Sequence, residues 1–344
     1  MHWKITALWG GKKVELRETP RAVTPFGGLV VFFEFLRQVG YGQAVRQHLP
    51  FRLTSPNAID PVETFTAFLL AVLAEADFVL HGWLRSGNCG TSRGVVEFLK
   101  EALALLPEKH ALRVVRADAG FFDQQLLGFL EQRGLAYIVV ARLTLWLKRE
   151  AARITTWRAL DEHYAVGEFS WQLFGWDRRR RFVVIREQLR AERASLGRKL
   201  LDVPGYTFRV FVTNFALPPE QIWRDYNGRA DMENRIAELK HDLAADDFCL
   251  REFFATEAAF RSILLLFNLL GEFQRACRFA SYRQPATLRA QVFLCGALLG
   301  RAGRRLVLHL SVSWGGLKQR IPLLEHLLAY PVSTSPKLHP ETAT

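Results

Sequence analysis

Apolar positions along the chain change spacing several times, and each change marks an expected element. Helical spacing follows a short polar start, opening at Thr24-Pro25-Phe26-Gly27-Gly28 and running to about Val39. It opens again at Asp60-Pro61 and runs to Ala76, with Asp60 as N-cap and Pro61 at the first helical position. Residues 78–84 read as a strand, Ser86-Gly87-Asn88 as a turn, and 91–106 as an amphipathic helix. From Leu112 a short apolar strand runs to the carboxylate Asp118. A turn at Gly120, a helix over 123–132 and a strand over 136–141 follow. Strand and helix alternate here, as they do in an α/β layer.

Between 143 and 215 the pattern becomes short alternating strands at 169–174, 181–186 and 208–213. Gly175-Trp176-Asp177 and Pro204-Gly205 separate them. Pro218-Pro219-Glu220 then starts a long helix, and a further helix covers 256–273. The tail from Pro331, rich in Pro, Ser and Thr, reads as disordered. The expected division is an N-terminal helical region that is a candidate for DNA binding (1–76) and a first part of the α/β core (77–142). A β-rich insertion (143–217), a helical completion of the core (218–280), a C-terminal region (281–330) and the tail (331–344) complete it. The fold class this predicts is α/β, or α+β overall.

The long helix carries the candidate chemistry. Tyr226, Arg229, Glu233 and Lys240 follow one another at intervals of three, four and seven residues. At about 100° per residue all four fall within one broad face. Core packing does not ask for a phenol, a guanidinium, a carboxylate and an ammonium on one stripe. A metal ion held beside a phosphate does: the carboxylate takes the cation and the bases take the phosphate oxygens. The same residues also fit a solvated face laced with ion pairs, since Arg229 and Glu233 form an i,i+4 pair. Asp118, at the carboxyl end of its strand, faces the crevice where open α/β sheets bind ligands. Its alternative role is a helix cap.

Together these motifs resemble those of the DDE-type insertion-sequence transposases, whose catalytic domain is similar to ribonuclease H. One large group of that family carries Tyr-x2-Arg-x3-Glu-x6-Lys on the helix bearing its last acidic residue. Tyr226, Arg229, Glu233 and Lys240 match it at all four positions. Arg116-Ala117-Asp118-Ala119-Gly120-Phe121-Phe122 resembles the group's second acidic motif, and the resemblance runs over about 20–320. It implies a ribonuclease-H-like mixed sheet with a β-rich insertion subdomain. It also implies a bacterial, cytoplasmic, nucleoid-associated protein that acts as a homodimer on double-stranded DNA at transposon ends and target. Asp118 and Glu233 would be the catalytic metal ligands for two Mg²⁺ (or Mn²⁺) ions. Arg229 and Lys240 would grip phosphate, and Tyr226 would orient the backbone. The implied reaction is phosphodiester hydrolysis at a transposon end, then attack of the freed 3′ hydroxyl on target DNA.

Composition agrees with a polyanionic partner. Net charge is +12, and of 46 basic residues ten are Lys, leaving 36 Arg, the side chain suited to bidentate phosphate contacts. No apolar run in the sequence approaches 18 residues, the longest being interrupted at Asn268, so no membrane span is expected. The start Met-His-Trp-Lys has no signal-peptide pattern. Cys89, Cys249, Cys277 and Cys295 lack metal-site spacing and read as reduced thiols.

One ligand is missing from the family pattern. In the family the first Asp lies on the first strand of the sheet, well upstream of the second. Upstream of Asp118 this chain has two aspartates, Asp60 and Asp77. Asp60 is assigned to a helix cap. Asp77 precedes the 78–84 strand, which resembles the family's third strand rather than its first. The two opening strands are therefore expected to be absent, truncating the sheet and leaving an exposed edge. Three readings follow: a degenerate, inactive transposase; an active enzyme recruiting Asp77 or Glu75; or a non-catalytic DNA-binding remnant, regulator or site-sharing assembly. A metal-dependent nuclease without strand transfer is a further class.

Other residues divide between roles. Trp223, near Asn227, fits either base stacking at a DNA end or packing of its helix onto the sheet. Arg178, Arg179, Arg180 and Arg181 fit either a phosphate-contacting finger or a solvated turn. His81, on an apolar strand, reads as a core or sheet-surface histidine. Asp231 and Glu238 fall off the stripe and read as surface charges, and Asp246 and Asp247 have no partner suggested by spacing.

Overall fold

A computed structural model describes residues 3–6, 13–20, 27–48, 72–73, 78–84, 93–107, 110–188, 206–227, 230–245, 253–303 and 305–331. In chain order the first elements are strands β1 (Trp3–Thr6) and β2 (Lys13–Thr19), helices α1 (Leu29–Gln38) and α2 (Tyr41–His48), and strands β3 (Val72–Leu73) and β4 (Phe78–Val79). Helix α3 (Val95–Ala104), β5 (Val114–Ala117), α4 (Gln124–Gln132), β6 (Ala136–Val140) and α5 (Leu145–Ala152) follow. Strands β7 (Arg158–Ala159), β8 (Tyr164–Trp171), β9 (Arg180–Gln188) and β10 (Tyr206–Thr213) come next. Last come α6 (Pro219–Asn227), α7 (Ala230–Ala237), α8 (Phe253–Ala276), α9 (Pro285–Leu288), β11 (Ala297–Ala302), β12 (Arg305–Ser311) and α10 (Gly316–Leu328). They form two compact units: Arg85–Glu233, continuous in sequence, and Met1–Leu84 joined with Asn234–Thr344.

The continuous unit is built on a six-stranded sheet in the order β5-β6-β10-β9-β8-β7. β5 and β6 are parallel and every other pair is antiparallel. Period-2 alternation sorts the side chains onto two faces. On one, Tyr137, Val139, Phe182, Val184 and Val212 form a buried cluster with Leu126, Leu127 and Leu130 of α4. On the other, Ile138, Val183, Ile185 and Phe211 cluster with Ile222 and Tyr226 of α6. Helix α4 starts at its expected place because the Asp123 side chain accepts the N–H groups of Gln125 and Leu126. A mixed sheet with helices on both faces is the α/β class expected, and it is consistent with a ribonuclease-H-like domain.

The other unit holds a four-stranded sheet, β1-β2-β12-β11, in which β2 and β12 are parallel. Val31, Phe35, Phe273, Leu310, Leu324 and Leu327 share its buried core. Gly27 and Gly28 are there for lack of room. A Cβ on Gly28 would stand 1.9 Å from the Val292 carbonyl oxygen, while the two N–H groups bond the Cys295 and Phe293 carbonyls. Cys277 and Cys295 are buried free thiols, and burial raises the pKa of each.

The structure departs from the sequence reading in four places. The strands expected as a separate insertion instead extend the main sheet, with Val212 of β10 opposite Val139 of β6. Val210, Phe211 and Val212 are all buried, so β10 needs cover on both faces and takes a central position. The strand expected over 78–84 shrinks to Phe78–Val79, paired with Val72–Leu73 (expected as helix) in the other unit from Asp118. There Asn268 of α8 bonds both the N–H and the carbonyl of Val79 and occupies the strand's edge. The N-terminal region, expected to be helical after a polar start, opens with β1 and β2. Finally, α8 is long and apolar enough by length and composition to cross a membrane, although no apolar run of that length was expected. It buries Leu264, Phe267, Leu270 and Phe273 in the cores. Asp60, Glu75, Asp77, Cys89, Asp246, Asp247, Cys249 and the tail beyond Pro331 lie outside the described residues.

Candidate metal and DNA site

Asp118 follows β5 directly, at the carboxyl end of the parallel β5–β6 pair. Its backbone is extended and its Oδ1 accepts the Gly120 N–H at 2.7 Å, capping the 3-10 turn Ala119–Phe121. The cap reading of this residue is thus realised. A carboxylate has two oxygens and about four lone-pair sites, and this cap bond uses one of them. Arg142 pins the turn from below by donating to the carbonyls of Ala119 and Gly120, at 2.8 and 3.0 Å. Arg116, two residues before Asp118, donates to the Asp225 carbonyl at 2.6 Å. That bond fastens β5 to α6, the helix leading into the four-residue motif. Arg116 opens the segment that resembles the second acidic motif, but neither it nor Arg142 was assigned a role from the sequence.

Two aromatic site residues turn out to be packing residues. Tyr226 is 6% exposed, its ring 4.6 Å from that of Phe211. Trp223 is half-buried against Tyr164 and Phe211, at 5.7 and 6.1 Å, with the Arg209 guanidinium over its ring. Both rings cover the apolar face of β10, the packing alternative for Trp223 and a correction for Tyr226. The Tyr226 ring, buried on the sheet, is not open to stack on a DNA base.

The arginine run is corrected in part. Arg180 has 2% of its side chain exposed and bonds Glu131 at 2.8 and 3.0 Å and Asp177 at 2.9 Å, over the Trp176 ring. Arg181 bonds Glu168 and the carbonyls of Phe215 and Leu217. The Arg180 guanidinium is fixed inside the protein, while Arg181, with 26% of its side chain exposed, is committed to partners on the opposite face, because strand alternation at the start of β9 turns one to each face of the sheet. Arg178 pairs with Asp177 yet stays exposed, and Arg179 is exposed. Only these two keep the geometry of a surface finger.

The helix expected to run unbroken from Pro218 is described as α6, α7 and a π turn, Glu238–Asp242, with Gly228 and Arg229 outside the described residues. Glu233 is exposed on α7, and Lys240 is exposed on the π turn, in the other unit. Glu238, expected as a surface charge, is 3% exposed. It accepts from Tyr282 Oη at 2.6 Å and pairs with Arg235 at 3.1 Å, and the Arg235 guanidinium lies 3.9 Å from the Tyr282 ring centroid. Its i,i+3 spacing from Arg235 was the available signal. His81 is buried, as a core histidine is.

Carboxylates such as Asp118 and Glu233 are hard oxygen donors of the kind Mg²⁺ takes. A pair of cations needs more of them. Among the described residues no group of three or more His, Cys, Asp or Glu could hold a metal ion. The described donors therefore do not make up a two-cation centre.

The α/β sheet thus places an aspartate at the carboxyl end of a parallel strand, fastened to the helix leading into a Tyr-Arg-Glu-Lys motif. The family model described as transposase DDE domain, group 1, matches residues 69–327, and the chain belongs to that family. No curated protein matches the chain. Members of the family act on DNA and typically use divalent metals.

Proposed function

We propose that the chain is a bacterial insertion-sequence transposase that binds transposon-end and target DNA but is impaired in cutting it. The observation that carries the reading is Asp118 at the strand end, with β5 held by Arg116 to the helix entering the four-residue motif. Asp118 and Glu233 would be the remaining metal ligands. The phosphate-gripping set would be Arg229, Lys240, Arg178 and Arg179, with Tyr226 and Trp223 supporting the helix from below. Two features support impairment. Upstream of Asp118 the only aspartates are Asp60 and Asp77. Among the described residues β5 is also the edge strand of its sheet, on the side where opening strands would pair. The protein is read as cytoplasmic and as a homodimer on DNA. A non-catalytic regulator derived from a transposase is the second reading, favoured by the same edge strand.

The test is DNA affinity as a function of salt. Four phosphate contacts predict a loss of roughly 150-fold over a fourfold rise in salt. Affinity that stays flat over that range removes the electrostatic basis of the proposal. Arg179→Ala should lower the slope of log affinity against log salt by about one, and Arg180→Ala should not, its guanidinium being committed to Glu131 and Asp177.

A further inference from the structure

The unit containing the C-terminal elements has an open cavity of about 480 Å³ with no part in the site above. It is framed by the 3-10 turn Val312–Trp314, the first half of α10 and the π turn Arg289–Phe293. Its size is that of a small-molecule site. One wall is the indole of Trp314, 51% exposed and so contributing little to the core. Beside it stand Lys318 and Arg283, the latter 4.5 Å from the Phe279 ring centroid and donating to Gln291. Gln319 adds a second amide, and Val292 and Leu323 give the site apolar surface. No carboxylate is among the described residues that line it.

Two further details add polarity. Pro322 lies inside α10 and has no N–H, which leaves the Lys318 carbonyl without its usual i+4 donor. Arg320, 1% exposed, sends its guanidinium to the carbonyls of Trp314, Gly316 and Val292. Its Nε has no partner among the described residues, and burial lowers its pKa. Two of those three carbonyls belong to residues of the cavity wall, so a buried cation with only dipoles for partners sits against the site.

Cations without carboxylates select an anion. An exposed indole flanked by amides and a bare carbonyl selects a flat ring with hydrogen-bonding edges. A nucleotide is both. We propose that this cavity takes one unstacked nucleotide of single-stranded DNA. The base lies on Trp314, its edge is met by Gln291 and Gln319, and its phosphate is met by Lys318 and Arg283. A duplex can offer a base to the indole only by unstacking and unpairing it, a cost that a single strand largely avoids. The inference rests on the reading that the protein handles DNA.

The experiment is fluorescence anisotropy of the full-length protein with a labelled single-stranded oligodeoxynucleotide and, separately, a labelled duplex. Trp314→Ala is expected to weaken single-strand binding about tenfold while leaving duplex binding within about twofold, and Trp314→Phe to restore most of the loss. Lys318→Glu should reproduce the selective loss and lower the single-strand salt slope by about one. Unchanged single-strand affinity in Trp314→Ala, or equal losses on both probes, overturns the pocket while duplex binding by the wild type keeps the DNA reading intact. A wild type that binds neither probe overturns both.

Discussion

Given Mg²⁺ and DNA bearing the element's own ends, the purified protein should nick no faster than its Glu233→Ala variant. Mg²⁺ dehydrates reluctantly and is held by few protein ligands, so each carboxylate matters to its binding. Removing one of three also strips charge that would balance two divalent cations. A loss of about 4 kcal/mol of transition-state stabilisation slows a reaction roughly a thousandfold. The edge position of β5 adds a second handicap. A strand paired on one side only, among the described residues, is poorly placed to hold Asp118 to the tolerance that in-line transfer requires. Arg116 and Arg142 brace it, but they fix its turn and its helix contact, not its open side. Nicking clearly above the Glu233→Ala blank would mean that a first carboxylate is present after all, and Asp77→Asn would then be the variant to make.

Arg180→Leu should cost about 3 kcal/mol of unfolding free energy in urea, the largest stability effect expected of any residue in the arginine run. Leucine leaves Glu131 half-desolvated with only Tyr137 and the more exposed Arg178 to answer its charge. Arg179→Leu, one residue away and exposed, should change stability by less than about 0.5 kcal/mol. The pH dependence has a definite sign. Burial alone would raise the Glu131 pKa, but the bonds from Arg180 and Tyr137 outweigh it and hold the carboxyl below its ordinary value of 4.5. A group depressed in the folded state contributes stability that is fully present above the unfolded value and lost as pH falls through the folded one. The gap between wild type and Arg180→Leu should therefore be widest near neutral pH and narrow below about 4.5. Equal stability of the two proteins at pH 7 would show that Arg180 and Glu131 do not depend on each other.

Local signals in the sequence served well where the chain's own neighbours decide the structure. The start of the helix expected over 123–132, the apolar strand before Asp118 and the strands β9 and β10 are all set within a few residues, and all appear at their expected places. The family was legible for the same reason, since its motifs are short and fixed in spacing. What escaped depends on partners far away in sequence. Glu238 looked like a surface charge because Tyr282, 44 residues on, is what buries it. Tyr226 fits a site stripe on its own helix, and only the position of Phe211 beneath it reveals a core ring. The 78–84 segment carries strand residues, but Asn268, 189 residues downstream of Val79, takes the backbone groups a neighbouring strand would use.

The pairing of β2 with β12 has a consequence for synthesis. Val14 and Leu306 stand opposite each other in a parallel ladder although roughly 290 residues separate them. At about 5–20 residues per second, β2 waits on the order of 15 to 60 s on the ribosome before its neighbour exists. Over the same interval Arg85–Glu233, continuous in sequence, emerges whole and can close its own sheet. The amino-terminal segment meanwhile carries Val31, Phe32 and Phe35, side chains that only the later-made Phe273, Phe293 and Leu324 will cover. A copy of the gene shortened before Arg305 would release a finished inner unit flanked by a core that cannot shut.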